Sequence, residues 1–175
     1  MCAIVGLANL KCKLEQEKCK YVLSNMLNKF SESNQNDMFL SENVILGHKS
    51  LNIIDNKDYM QPMSCRFQEN NYTITYNGKL YNSEDLRKEL IDKGFSFEGN
   101  SDTEVLLKAY ICFGNDVVNK LNGAFAFAIW NEKKRELFFA RDHFGLKPFF
   151  YFVKKNNFVF ASQIKCLLEF PRCRN

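Results

Sequence analysis

Seven consecutive residues, Ala124-Phe125-Ala126-Phe127-Ala128-Ile129-Trp130, contain no polar side chain. Successive side chains of a strand point to opposite faces. Phe125, Phe127 and Ile129 would therefore share one face, and Ala124, Ala126, Ala128 and Trp130 the other. Both faces are apolar, as in a sheet covered on both sides, so this strand must be central. Any fold for the chain has to place packed layers above and below it.

The rest of the chain supplies those layers. Ala3-Ile4-Val5 reads as a buried strand, and Leu14 to about Phe30 as a helix with a stripe formed by Tyr21, Val22, Met26, Leu27 and Phe30. Ser31 to Asp37 is polar and aperiodic, hence a loop. Val44-Ile45-Leu46 begins a strand, and the alternation of Leu51, Ile53 and Asp55 suggests a second, with Pro62 ending the region. Tyr72 to Tyr76, rich in β-branched and aromatic residues, reads as a strand; Asn77-Gly78 then reads as a tight turn and Lys79-Leu80-Tyr81 as a return strand. Asn82 offers an N-cap to a helix from Ser83 to Lys93, stopped by Gly94. Ser101 and Glu104 have capping-box spacing for a second helix that ends near Gly114. Two hairpins follow Gly123: the central strand with Leu137 to Ala140, then Phe149 to Val153 with Phe158 to Ala161. Ser162 caps a short final helix, Gln163 to Leu168. This is an α+β fold in layers.

Composition narrows the function. The 175 residues contain no linker-like stretch, so residues 1–175 are read as one domain. The net charge of +4 comes from dispersed lysines, which argues against nucleic acid as a partner. Seven scattered cysteines and two histidines form neither a disulfide framework nor a zinc pattern, so no metal is expected. No signal peptide or span of roughly 18–20 apolar residues is visible, so no membrane partner is expected and a cytoplasmic location is.

Cys2 is the residue with the strongest chemical potential. Removal of Met1 would leave one residue carrying a thiol and a free α-amine, with ordinary pKa values of about 8.5 and about 7.7–8.0. The amine could then take the thiol's proton and activate it as a nucleophile. Taken alone, the same residues also describe an inert buried cysteine at the head of a first strand.

Several blocks, taken in order, resemble the glutaminase domain of glutamine-dependent asparagine synthetases. They are Met1 to Gly6, Gly47-His48 with Leu51 to Asp55, Tyr76 to Asn82, Ser101 to Val105, Leu121 to Ala128, Arg141 to Pro148 and Phe160 to Lys165. The resemblance covers nearly the whole chain. It implies the four-layer αββα sandwich of N-terminal-nucleophile hydrolases, and hydrolysis of the glutamine side-chain amide through a thioester on Cys2. It further implies that Asn77 and Gly78 supply the oxyanion donors, that Asp102 holds the α-ammonium of glutamine, and that Ser50, Leu51, Asn52, Ile53 and Ile54 line the substrate pocket. Glutamine is then the small-molecule partner. An ATP-dependent synthetase domain or subunit, outside this chain, is the second; ATP and magnesium would belong to it, and the domain itself needs no cofactor.

The pattern departs from the family at the recognition end. Position 3 is Ala3, where glycine is common. Ser50 replaces an arginine that pairs with the substrate carboxylate, although Lys49 beside it offers a charge from another direction. Lys79 replaces a glutamate, so Asn77-Gly78-Lys79 carries the opposite charge, and a His-Arg-Gly-Pro-Asp segment is missing near Phe30 to Gln35. The pocket still suits a zwitterion if Lys79 takes the α-carboxylate and Asp102 keeps the α-ammonium. Three readings follow: a glutaminase, a scaffold module without useful activity, or an N-terminal-cysteine amidase for another small amide.

Overall fold

A computed structural model describes residues 3–30, 37–50 and 60–170. Its elements run β1 (Ala3–Asn9), α1 (Gln16–Asn28), β2 (Asp37–Leu40), β3 (Val44–Lys49), β4 (Met63–Phe67), β5 (Asn70–Leu80), α2 (Ser83–Asp92), α3 (Asp102–Phe113), β6 (Gly123–Asn131), β7 (Glu136–Arg141), β8 (Phe150–Lys154), β9 (Asn157–Ala161) and α4 (Ile164–Leu167). A 3-10 helix, Gly114–Lys120, joins α3 to β6. One sheet has the strand order β2-β3-β1-β9-β8 and the other β4-β5-β6-β7, and all pairs are antiparallel.

The layers follow from the alternation within the strands. Phe125, Phe127 and Ile129 of β6 pack with Leu86 and Leu90 of α2 and Val105, Leu106 and Ala109 of α3. The other face of β6, Ala126, Ala128 and Trp130, packs with Ile4, Val44, Leu46 and Phe160 of the opposite sheet. Val5, Leu7 and Ile45 lie on the far side of that sheet, against Leu23, Met26 and Leu27 of α1 and Leu167 of α4. The order is thus α, β, β, α, and β6 is covered on both faces as its sequence demands.

Several local expectations are corrected. The Asn77-Gly78 turn does not form: β5 runs unbroken to Leu80, with Asn77 opposite Ala126 and Gly78 opposite Phe125. An Asn-Gly pair makes a hairpin when its flanking segments pair with each other; here both flanks pair with β6. The Asn82 side chain does not cap α2. Its amide donates to the Lys120 carbonyl at 2.8 Å and its oxygen accepts from the Asn122 amide at 3.0 Å, tying down the approach to β6. The capping box of α3 is half formed. Ser101 accepts from the Glu104 amide at 3.3 Å, but the Glu104 carboxylate is taken by the amides of Glu98 and Gly99, both at 2.9 Å, and by Lys108. Burial pushes the Glu104 pKa up; Lys108 and the two amides outweigh it and hold it below the usual carboxylate value.

Two strands were not visible in the sequence. β2 is a half-buried four-residue edge strand whose one neighbour in the sheet, among the described residues, is β3. β4 begins directly after Pro62 and turns into β5 through Gln68 and Glu69, both in the left-handed region, where their side chains give no turn signal. The expected strand through Leu51, Ile53 and Asp55 lies outside the described residues.

β1 sits between β3 and β9, and Gly6 lets it face the other sheet beside a large ring. A Cβ at Gly6 would stand 2.2 Å from Phe160 Cε1, and Phe160 is held by a stacked contact with Phe149 at 4.9 Å. Gly6→Ala is therefore expected to destabilise the protein by about 1–3 kcal/mol through overpacking. Urea unfolding would show it as a lower midpoint with an unchanged slope, and an unmoved midpoint would mean that the ring has room to yield.

Candidate active site

The side chains of β5 divide cleanly. Ile74, Tyr76 and Leu80 join the cluster under α2 and α3. Thr73, Thr75, Asn77 and Lys79 face the other way, into the gap between the sheets. Thr75 Oγ1 marks the crossing by donating to the Gly47 carbonyl of β3 at 3.2 Å. Thr75 and Asn77 are buried, whereas the Lys79 side chain is 69% exposed, so the polar stripe runs from the interior to the surface.

Asn77 is 4% exposed, and its Nδ2 has no hydrogen-bond partner among the described residues. A buried donor left unmade costs about 1–3 kcal/mol, so such an orphan calls for a reason. Gly78 follows. Its glycine is required by close approach: a Cβ would lie 2.5 Å from the Ala124 carbonyl oxygen and 2.8 Å from Phe125 Cα. Phe125 spends its amide on Asp142 Oδ2 at 3.2 Å and its carbonyl on the Asp142 amide at 2.8 Å. The Gly78 amide thus points away from β6, to the outer edge of β5, as do those of Tyr76 and Leu80. β4 pairs no further than Met63 opposite Ile74, so that edge is open to side chains. Gln61 Oε1 accepts from the Tyr76 amide at 2.6 Å, and Asp102 Oδ2 from the Leu80 amide at 2.9 Å. The Gly78 amide lies between these two.

Asp102, the first residue of α3, is aimed at β5 and not at its own helix. Lys79 Nζ is 3.2 Å from each carboxylate oxygen, and the Asp102 side chain is 11% exposed. With one partner in water, such a pair is worth roughly 0–1 kcal/mol. A ligand that offers charges of its own can compete with it.

The other predicted residues sort unevenly. Cys2, Leu51, Asn52, Ile53 and Ile54 lie outside the described residues. Ser50 is exposed and directly follows Lys49, which pairs with Ala3, the residue after Cys2. Lys49 does not serve the gap between the sheets. It is buried on the α1 side, its Nζ donates to the Leu27 carbonyl at 3.4 Å, and burial lowers its pKa. Among the described residues no cluster of His, Cys, Asp or Glu could hold a metal ion, and no helix is long and apolar enough to cross a membrane.

Sequence reasoning gave no separate role to His48, Asp142 or Gln61. Asp142 is buried and accepts four backbone amides, from Phe125, Phe144, Leu146 and Lys147. Burial raises its pKa, and the four amides more than reverse this. It thereby fixes the loop after β7 against the β6 residue that faces Gly78. A string of backbone acceptances by one aspartate leaves no periodic trace in sequence. His48, opposite Ile4 in the register, is 3% exposed with Nε2 unpartnered among the described residues, and burial lowers its pKa to about 4.

A family model described as a glutamine amidotransferase domain matches residues 1–175. The glutamine-hydrolyzing asparagine synthetase 3 of Bacillus subtilis (strain 168) is 46% identical over 173 residues, covering 98% of this chain and 28% of that protein. Asparagine synthetase 1 of the same organism is 39% identical over 171 residues, 96% of this chain and 27% of its own length. The chain therefore spans little more than a quarter of these relatives. Among solved structures, the allosteric regulatory enzyme of purine biosynthesis superposes with a TM-score of 0.78 at 20% identity, covering 95% of this chain and 43% of that one. At that identity the likeness speaks for the fold.

The neutral burial of His48 sets a pH dependence. In the unfolded chain it titrates near 6.5, in the folded protein at about 4. Between these values the unfolded state binds the extra proton, so stability is full above pH 6.5 and falls as the pH drops towards 4, by roughly 3 kcal/mol. Asp142, with a depressed pKa, acts only below its ordinary value of 3.8. Urea unfolding at pH 7 and pH 4.5 is expected to show this loss, and His48→Gln to remove most of the difference between the two conditions.

Proposed function

Because the chain belongs to the glutamine amidotransferase family, as a domain of the asparagine-synthetase type, we propose that it hydrolyses the glutamine side-chain amide with Cys2 as nucleophile. The observation that carries this is the buried Nδ2 of Asn77, unspent among the described residues, beside Gly78 at the inner end of a polar stripe that opens to the surface at Lys79. A hole of this kind accepts a developing oxyanion.

The steps follow from those groups. The α-amine of Cys2 takes the thiol proton, and the thiolate attacks the amide carbon. The oxygen then carries the negative charge towards Asn77 Nδ2 and the Gly78 amide. Collapse breaks the C–N bond, and the departing nitrogen takes the proton from the α-ammonium and leaves as ammonia. A thioester remains. Water attacks it with the α-amine again as base, which returns the thiol and releases glutamate. Reagents and products balance as glutamine plus water to glutamate plus ammonia.

The stripe orients the substrate with its amide inward and its charged end outward. There the α-ammonium replaces Lys79 at Asp102, while Lys79 turns to the α-carboxylate. One internal ion pair is exchanged for two with the ligand, and the exposed Ser50 adds at most a hydroxyl. The ammonia is consumed by an ATP-dependent synthetase domain or subunit, which would hold ATP and magnesium; the domain itself requires no cofactor.

A second reading rests on the same ion pair. With Asp102 already bound by Lys79 and the Leu80 amide, recognition is lost and the domain serves as a scaffold for a synthetase partner. Two measurements separate the readings. Intact mass with Met1 removed, together with ammonia release abolished by Cys2→Ala, is the outcome for the enzyme; retained Met1 with no ammonia above that control is the outcome for the scaffold. In an active enzyme, Asn77→Ala is expected to lower kcat by about 100- to 1,000-fold. Lys79→Glu is expected to raise KM for glutamine by about fivefold, the equivalent of roughly 1 kcal/mol; an unchanged or lower KM would remove Lys79 from carboxylate binding.

A further inference from the structure

The head of β1 is held by a residue that the sequence assigns to another task. Ser162 reads as the cap of the last helix, yet the residue at the N-cap position of α4 is Gln163, with no side-chain cap bond. Ser162 instead captures both backbone groups of Ile4. Its Oγ accepts from the Ile4 amide at 3.0 Å, and its own amide donates to the Ile4 carbonyl at 2.9 Å. Ser162 is 3% exposed and Ile4 fully buried.

The geometry explains why a hydroxyl is needed. β9 pairs with β1 from Asn157 opposite Asn9 to Ala161 opposite Val5. The next antiparallel pair would be Ile4 with Ser162. After Ala161, however, the chain leaves the sheet to start α4. A continued strand would offer its carbonyl to the Ile4 amide; Ser162 offers Oγ in its place, so the ladder gains one more rung while the backbone turns away. On the other side of β1, Ala3 pairs with Lys49. The Ile4 rung is the last on the β9 side before Cys2, which is two residues away in the chain.

We propose that Ser162 is a positioning residue for the nucleophile: by locking Ile4 it fixes where Cys2 stands relative to Asn77 and Gly78. This rests on the reading of Cys2 as the nucleophile. A nucleophile at a chain end has only one direction from which the backbone can hold it. Loss of the Oγ contact leaves Ile4 held on this side by the Ser162 amide alone and loosens the segment that carries both thiol and α-amine, and a displacement of about 1 Å at a reacting atom is enough to cost a factor of about 100 in rate. Asp102 and Lys79 sit on other elements, so substrate binding is untouched.

The test uses the full chain and the variants Ser162→Ala, Ser162→Thr and Ser162→Cys. Thr keeps the hydroxyl; Cys keeps the volume with a poor acceptor. Hydrogen exchange, read by mass spectrometry on the N-terminal peptide, reports the lock independently of catalysis. Ser162→Ala is expected to speed exchange there at least tenfold while peptides from β6 stay protected. Glutamine turnover reports its purpose: kcat should fall tenfold or more with KM within twofold of wild type, and Ser162→Thr should restore it. If the alanine variant unfolds, seen as exchange throughout β6, the cysteine variant must give the same pattern. Unchanged N-terminal exchange in a folded variant overturns the lock, and faster exchange with wild-type kcat overturns the positioning role. A wild-type protein without Cys2-dependent turnover would instead sink the glutaminase reading, with the exchange result still deciding whether the lock exists.

Discussion

The gap between the two sheets governs everything else, and its width is set by side-chain size. Across β5 and β6, Thr75 stands opposite Ala128, Asn77 opposite Ala126, and Lys79 opposite Ala124. These three polar side chains of β5 thus each have an alanine as cross-strand neighbour, whereas Thr73, at the far end of the face, stands opposite Trp130. Bulky residues at those three alanine positions would fill the space that lets Thr75 reach the Gly47 carbonyl and lets Asn77 Nδ2 stay buried with no partner among the described residues. The opposite face of β6 carries Phe125, Phe127 and Ile129 and does the packing against the helices. One strand therefore supplies cohesion on one side and room on the other.

That division explains how polar groups survive in the middle of the molecule. Burying an amide or an imidazole without full hydrogen bonding is costly, and His48 and Asn77 both carry such a cost. It is offset by the apolar clusters on either side, which hold the sheets at fixed spacing whether or not the polar groups are satisfied. The same rigidity is what a preorganised donor requires. An amide that could swing to a neighbour would satisfy itself, and Asn77 has only Ala126 across from it.

What the sequence disclosed was governed by periodicity. β6, the helices over Ser83–Asp92 and Asp102–Phe113, and the terminal hairpins all have strong patterns, and the layered α+β order follows from them. β2 was missed because four half-buried residues set no pattern, and β4 because its turn uses Gln68 and Glu69. At Asn77-Gly78 the local signal pointed to a turn, while the actual use of Gly78 is close approach to Ala124 and Phe125, which depends on a strand some 45 residues away. Asn82 and Ser162 misled in the same way: each has the chemistry of a cap and spends it on a distant backbone, at Lys120 and Asn122 or at Ile4. The blocks around Asn77 and Asp102 were legible as candidate site residues only through the family resemblance. Their spacing carries no sign that the Leu80 amide and the Asp102 carboxylate would meet.

The exposure of Lys79 bears on how the buried and exposed positions of β5 differ. Asn77 is buried opposite Ala126, and Gly78 packs against Ala124 and Phe125, where a Cβ has nowhere to go. Lys79 is the next residue, but its side chain is mostly in water and is anchored only by a weak ion pair. A change of sign at Lys79 therefore leaves the packing around Asn77 and Gly78 intact, while it alters the charge at the exposed end of the stripe. Interior positions of this strand are constrained by packing, and its exposed end is not. Packing along β5 therefore constrains Gly78 far more tightly than Lys79, in step with the gradient of burial from the interior to the surface.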